Sequence, residues 1–319
     1  MSSEQPAAPV EGQEVIQHEQ PTVAAEPAAP PAPEEPQNQF TKEFTEKDWE
    51  GVRFLRSKLA DIAKDVESDP LTLWGVELSP TKPTAKASVI LVKFVRARPA
   101  GFEAAKDMLV ATLKWRKEYK VEGITKEEFP EDVFGKVGVI SGKDKGGRPV
   151  TYNFYGSTDP NVVFKDVDQF LRWRVALMEK GVALIDFETT DSMVQVHDYA
   201  GVSLMGGRTA NSKAAAKQAS QIFSDYYPEL LVNVPILLHS VVLTDAVSHL
   251  FFPQHKKFFV SVPVVLTWIF WTFTSLLSPA TQQKMSVVGS GPDTISAALL
   301  PVVDKDQLLK RYGGEGADI

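Results

Sequence analysis

Residues 137–155, VGVISGKDKGGRPVTYNFY, are followed at 166–180 by DVDQFLRWRVALMEK and at 192–198 by SMVQVHD. The first stretch holds two β-rich runs, Val137–Ile140 and Pro149–Tyr155, on either side of Gly142–Gly147, and that spacing reads as a hairpin. The second reads as a helix ended by Gly181, and the third as a strand. Lys213–Tyr226 is again helical, and Lys257–Val265 contains another β-rich run. Strands alternating with helices after an initial hairpin predict an α/β layer with a mixed or parallel sheet, over residues 135–312, with 313–319 as a flexible C-terminus.

On the N-terminal side the periodicity changes. Thr45-Glu46-Lys47-Asp48-Trp49 looks like a helix start, and Val52, Leu55, Leu59, Ile62 and Val66 recur at three- and four-residue steps. After a Pro/Thr-rich linker at 79–86, apolar positions from Ile90, and then from Phe102 to Tyr119, continue the pattern, with Gly123 beyond its end. These predict an all-α lobe over 42–134. Residues 1–41 hold eight of the 22 prolines and no apolar period, which predicts a disordered tail without the features of a secretory signal.

The 319-residue chain has 34 Lys+Arg, 41 Asp+Glu and a net charge of -7. Glu4, Glu11, Glu14, Glu19, Glu26, Glu34 and Glu35 carry that excess, so the remainder is balanced and lacks the basic surplus a nucleic-acid surface needs. The chain has no cysteine, which excludes disulfides, thiol nucleophiles and Cys-based metal centres. The glycine-rich run at 142–147 is no phosphate loop, because Arg148-Pro149 leads into a strand instead of a helix. Gly289-Ser-Gly-Pro292 reads as a turn.

Within Gln195-Val-His-Asp-Tyr199, alternation places Gln195, His197 and Tyr199 on one strand face and Val196 and Asp198 on the other. A single strand histidine is usually a hydrogen-bonded core residue. A His and a Tyr two apart can also project into one cavity, where imidazole nitrogen and phenolate oxygen are competent iron ligands. Residues 257–277, KFFVSVPVVLTWIFWTFTSLL, carry no charge after Lys257. Length and hydropathy fit a membrane span. Pro263 divides the stretch, which favours a buried strand followed by an apolar lid helix.

Together Gly147-Arg-Pro-Val150, the strand ending in His-Asp-Tyr199, Tyr226-Tyr-Pro-Glu-Leu-Leu231 and Phe258-Phe-Val-Ser-Val-Pro263 resemble the CRAL-TRIO lipid-transfer family of the fungal phosphatidylinositol-transfer type, from about residue 45 to 312. Gln-Val-His-Asp-Tyr, with Arg172-Trp-Arg174 and Met178-Glu-Lys-Gly181, is most similar to its non-conventional, haem-binding branch. The resemblance implies a helical lobe on an α/β lobe whose sheet floors a deep apolar pocket under a lid helix near 264–277. It implies a non-enzymatic protein that transfers phosphatidylinositol, supports phosphoinositide homeostasis and binds haem b. Tyr199 would then be the axial iron ligand with His197 beside it, and Tyr155, Arg174 and Lys257 would complete the pocket. The helical-lobe tyrosine of that branch is matched here by Val95 or its neighbours.

The expected partners are phosphatidylinositol, haem and membrane surfaces, touched peripherally, with no nucleic acid and no identifiable protein partner. The expected location is cytoplasmic with peripheral endoplasmic-reticulum association. The alternatives are a haem-dependent sensor or redox protein and a protein spanning the membrane at 258–277. In the family the Tyr-Pro-Glu-Leu-Leu box runs almost directly into the later strand, whereas here Val232–Gln254 intervenes, as a local duplication or, preferably, an intron retained in the gene reading.

Overall fold

Thr45 opens the first long helix with a reciprocal cap: its side chain accepts from the Asp48 N–H, and the Asp48 carboxylate accepts from the Thr45 N–H. In the computed structural model, which describes residues 35–202, 209–230, 257–261 and 285–319, that helix is α1, Glu46–Asp65. Its predicted apolar stripe, Val52, Leu55, Leu59 and Ile62, is buried. A two-stranded hairpin follows, β1 (Thr72–Leu73) and β2 (Val76–Glu77), so the N-terminal lobe is not purely helical. Trp74 and Gly75 turn it with positive φ values of 51° and 77°, the left-handed pair that a two-residue hairpin requires. Thr84 caps α2, Ala85–Ala97, which takes up the end of the expected linker, and α3 is Phe102–Glu118.

A short helix α4, Glu131–Phe134, leads into β3, Gly138–Lys143, and the predicted hairpin to β4, Pro149–Phe154. The Asp144 carboxylate accepts from the Gly146 and Arg148 N–H groups and so closes that turn, as its reading as a structural loop requires. Then come α5 (Pro160–Val163), α6 (Val167–Val182), β5 (Val194–Asp198), α7 (Ala210–Tyr226), β6 (Lys257–Val260), β7 (Met285–Val287) and α8 (Pro292–Leu299). Strands β3 to β7 form one sheet in sequence order, antiparallel between β3 and β4 and parallel thereafter. This is the mixed α/β layer that the alternation predicts. Gly289-Ser-Gly-Pro292 is the entry to α8, with Gly291 at its N-cap and Pro292 in its first turn.

The two sheet faces have different fates. Val150, Tyr152, Phe154, Val194, Val196 and Val260 pack against Ile295, Leu299 and Tyr312 from the C-terminal end of the chain. The other face carries Thr151, Asn153, Gln195 and His197, in parallel register Thr151 with Gln195 and Asn153 with His197. A second core joins α1, α2 and α3 to Val175, Met178 and Val182 of α6 and to Phe187, Met193 and Tyr227. Each large aliphatic side chain buried there contributes about 1.5–3 kcal/mol.

Three boundaries differ from expectation. The chain packs from before residue 42: Asn38 and Thr41 are buried, and the Asn38 amide donates to the Phe187 carbonyl at 3.0 Å. Gly181 lies inside α6, where a Cβ would meet Met193 Cε at 2.9 Å, so it permits close packing and does not end the helix. Residues 313–319, expected to be flexible, fold back: Gly316 N–H donates to the Leu308 carbonyl at 2.8 Å and Lys310 N–H to that of Ala317 at 3.2 Å. The tail at 1–34, the Val232–Gln254 segment and the lid or span after Ser261 lie outside the described residues.

Candidate functional site

Helix α6 begins at Asp166, whose carboxylate accepts from the Gln169 N–H, and it is buried on nearly every side. A helix so enclosed has little solvent face, and while Asp168 and Lys180 reach it, Arg174 and Glu179 are both buried. Glu179 is fully engaged: it takes two bonds from Arg116 of α3, at 2.7 and 3.1 Å, and one from the Tyr227 hydroxyl at 2.6 Å. Arg174 is not. It is 6% exposed, makes no hydrogen bond or ion pair among the described residues, and has Nη1 buried without a partner. Its guanidinium lies over the Phe223 ring of α7, 4.8 Å from the centroid.

The sheet brings the predicted aromatic residues to the same place. Asn153 and His197 are register partners, so Tyr155, two residues on, reaches the end of β5 and anchors there through its N–H to the Asp198 carbonyl at 2.9 Å. Its hydroxyl is 2.7 Å from His197 Nδ1, the two rings are nearly parallel, and its ring centroid is 4.9 Å from that of Tyr199. Tyr199 follows β5 and is fixed by its N–H to the Val260 carbonyl at 3.1 Å. Alternation therefore gives the correct companions for His197, and Val196 and Asp198 do point the other way, Asp198 accepting from the Tyr312 hydroxyl at 2.7 Å.

Burial pushes the Tyr155 phenol above its ordinary value, against the pull of the nearby Arg174 charge. Burial, and then the neighbouring Tyr155, raise the Tyr199 phenol well above its ordinary value. Burial draws the Arg174 guanidinium below its ordinary value, and Tyr155 and Tyr227 oppose it. The corner is thus two protonated phenols, one imidazole and a desolvated cation. Such a set is completed by a ligand that brings negative charge.

Tyr155, Arg174, His197 and Tyr199 are brought together. Lys257 is placed through its backbone, opposite Gln195 across the β5–β6 pair. The floor beside them is more polar than expected. Thr151, Asn153 and Gln195 are buried there, with Gln195 Nε2 at 3.8 Å from Met178 Sδ and Thr151 Oγ1 at 3.7 Å from Met193 Sδ. Sequence reading missed Asn153, Thr151 and Phe223. The alternation of Thr151 and Asn153 within β4 was available as a signal, but its meaning depends on parallel pairing with β5.

A sequence model of the CRAL/TRIO domain matches residues 134–243 and 253–314, most of the chain that forms this sheet and its helices. The chain belongs to the CRAL/TRIO family. The break in the match, 244–252, falls inside the Val232–Gln254 segment. This CRAL/TRIO chain is 32% identical over 301 residues to "Phosphatidylinositol transfer protein sfh5" of Sclerotinia sclerotiorum, covering 89% of the chain and 66% of that protein. It is 33% identical over 296 residues to the protein so named in Botryotinia fuckeliana, covering 88% and 60%. With the Kluyveromyces lactis protein of that name it shares 32% over 280 residues, covering 85% and 83%. The chain thus spans about two thirds or less of the length of the first two. Among solved structures, "Crystal structure of Sfh5" superposes with a TM-score of 0.65 at 25% identity, over 85% of this chain and 88% of that one. The fold is therefore the CRAL/TRIO fold expected from the motifs.

Proposed function

We propose that this chain binds phosphatidylinositol against the polar face of its sheet and carries it between membranes, supporting phosphoinositide homeostasis, and that its Tyr155–Arg174–His197–Tyr199 corner is a haem b site. One observation carries the reading: Arg174 is a buried guanidinium with no partner among the described residues. Leaving a cation desolvated and unpaired costs several kcal/mol, a cost that an anionic ligand removes. A phospholipid headgroup and a haem propionate both supply that charge, and guanidinium pairs with either in bidentate fashion. The names of the relatives support the lipid part, and the aromatic donors around Arg174 support the haem part.

The residues fit haem. Tyr199 would hold the iron, His197 would lie beside it, and Arg174 and Lys257 would face the propionates. When bound, haem would supply a metal centre for oxygen or nitrogen ligation. The chain's own contribution is positional: the Tyr155 hydroxyl orients the His197 imidazole, and the buried site withholds water. In this reading the protein acts in the cytoplasm, docks peripherally on endoplasmic-reticulum membrane and catalyses no reaction.

Two measurements on the purified full chain test it. Phosphatidylinositol transfer between vesicles should exceed a no-protein control, and the absence of transfer rejects the lipid function. The protein as isolated should show a Soret band that Tyr199→Phe abolishes, and a colourless wild type rejects the haem site. A coloured protein that transfers no lipid would instead indicate a haem sensor or redox protein.

A further inference from the structure

A second cleft, of about 460 Å³, opens at the carboxyl ends of the parallel strands, with Tyr199 in its lining. Asp198 and Tyr199 follow β5 into it, Ser261 follows β6, and Ser290 and Gly291 lie between β7 and α8. Val202, Pro292 and Ile295 supply an apolar wall, and Arg311 and Tyr312 close it. The ends of parallel strands are where open α/β sheets leave room for ligands, because the loops diverge there.

The polar groups of this cleft are in surplus as donors. Arg311 is held by stacking: its guanidinium is 4.4 Å from the Phe154 ring centroid and 5.6 Å from that of Tyr312. Its one ionic contact among the described residues, with Asp198 Oδ2 at 3.5 Å, is too long for a hydrogen bond, and its side chain remains 36% exposed. Asp198 already accepts from the Tyr312 hydroxyl at 2.7 Å and the Ala200 N–H at 2.8 Å, so its oxygens do not consume the arginine's donors. Ser261 is 9% exposed, lines the cleft and has no side-chain hydrogen bond among the described residues. Its φ of 57° is a left-handed conformation that a residue with a Cβ adopts at a cost. Gly291 caps α8 without a side chain, which leaves the first-turn N–H groups of that helix open at the cleft edge.

A forked cation, a cleft-lining hydroxyl without a partner among the described residues and an uncapped helix start ask for one kind of group. We propose that this cleft binds a phosphate group, carried by a small organic molecule whose remainder lies on Val202, Pro292 and Ile295. Arg311 pairs with two phosphate oxygens, and Ser261 and the start of α8 donate to the phosphate as well. Asp293 in the first turn of α8 is exposed to water, and the Asp198 carboxylate is taken up by the Tyr312 hydroxyl and the Ala200 N–H, which leaves the Arg311 donors for the anion. The cleft is larger than one phosphate ion needs, which favours an ester over the free ion.

The test is phosphorus NMR and calorimetric titration of the full chain with inorganic phosphate and, separately, glycerol 3-phosphate. Glycerol 3-phosphate should bind more tightly than inorganic phosphate, and equal affinities would reduce the site to one for the free ion and overturn the ester. Arg311→Gln should weaken binding roughly tenfold or more, and Ser261→Ala several-fold, the losses expected for charged hydrogen bonds. Should Arg311→Gln lower the melting temperature by losing its ring contacts, Arg311→Lys keeps the charge without the fork and should still bind several-fold more weakly. No binding by wild type, or unchanged affinity in both Ser261→Ala and Arg311→Lys, overturns the proposal.

Discussion

Asp48 holds two contacts that are far apart in the chain. Its carboxylate closes the Thr45 cap and also takes two bonds from the Arg96 guanidinium, at 3.0 and 2.9 Å. Burial alone would raise its carboxyl, but the Arg96 and Thr45 hydrogen bonds and the Arg96 charge outweigh burial and hold it below the ordinary carboxylate value. The folded state therefore binds the proton less readily than the unfolded chain. This contribution to stability is complete above the unfolded value, about pH 4, and is lost as pH falls through the lower folded value. Asp48→Asn should cost about 1–3 kcal/mol near neutral pH, and denaturant melts should show the gap from wild type closing below about pH 4. The cap was legible in Thr45–Trp49, because capping is local. Arg96 was not, because helix packing decides that contact. The same divide separates His197 and Tyr199, which alternation pairs, from Tyr155, which meets them only once β4 lies parallel to β5.

Helix α6 connects the two lobes and carries the cation of the site. Glu179 ties it to α3 through Arg116 and to the end of α7 through Tyr227, and that network is buried. Glu179 raises the Arg116 guanidinium above its ordinary value against the pull of burial. Glu179→Gln leaves Arg116 with the exposed Glu122 as its remaining carboxylate and should cost about 3–5 kcal/mol, measured by chemical denaturation. Combining it with Arg116→Met should recover much of that loss, since the cation that Glu179 neutralised is then gone as well. The existence of α6 was clear from its apolar spacing. Its end was not: Gly181 has the composition of a helix stop, yet its missing side chain makes room for Met193. A glycine allowing close approach and one terminating a helix are identical in sequence, and the neighbour that distinguishes them lies 12 residues further on.

At the scale of the whole molecule, the described residues form a single compact unit, and the helical lobe and the α/β lobe share a core. Trp74 makes this concrete, stacking on Phe94 of α2 at 5.9 Å and on Phe187 beyond α6 at 6.1 Å. Calorimetry should therefore record one cooperative unfolding transition, and two resolved transitions would show that the lobes unfold independently. Composition and periodicity distinguish a helical stretch from an alternating strand–helix stretch. They gave no sign that the apolar stripes of both would be buried against each other, because a stripe records that a face is covered and not what covers it.

The position of Tyr199 has a further thermodynamic consequence. Its ring lies beside Tyr155 at the site of Arg174, and the same residue lines the cleft of Ser261 and Arg311. Any occupant that shifts this shared wall on one side changes the free energy of binding on the other. Reciprocity then fixes the exchange: the factor by which the rear ligand alters affinity in front equals the factor by which the front ligand alters it behind.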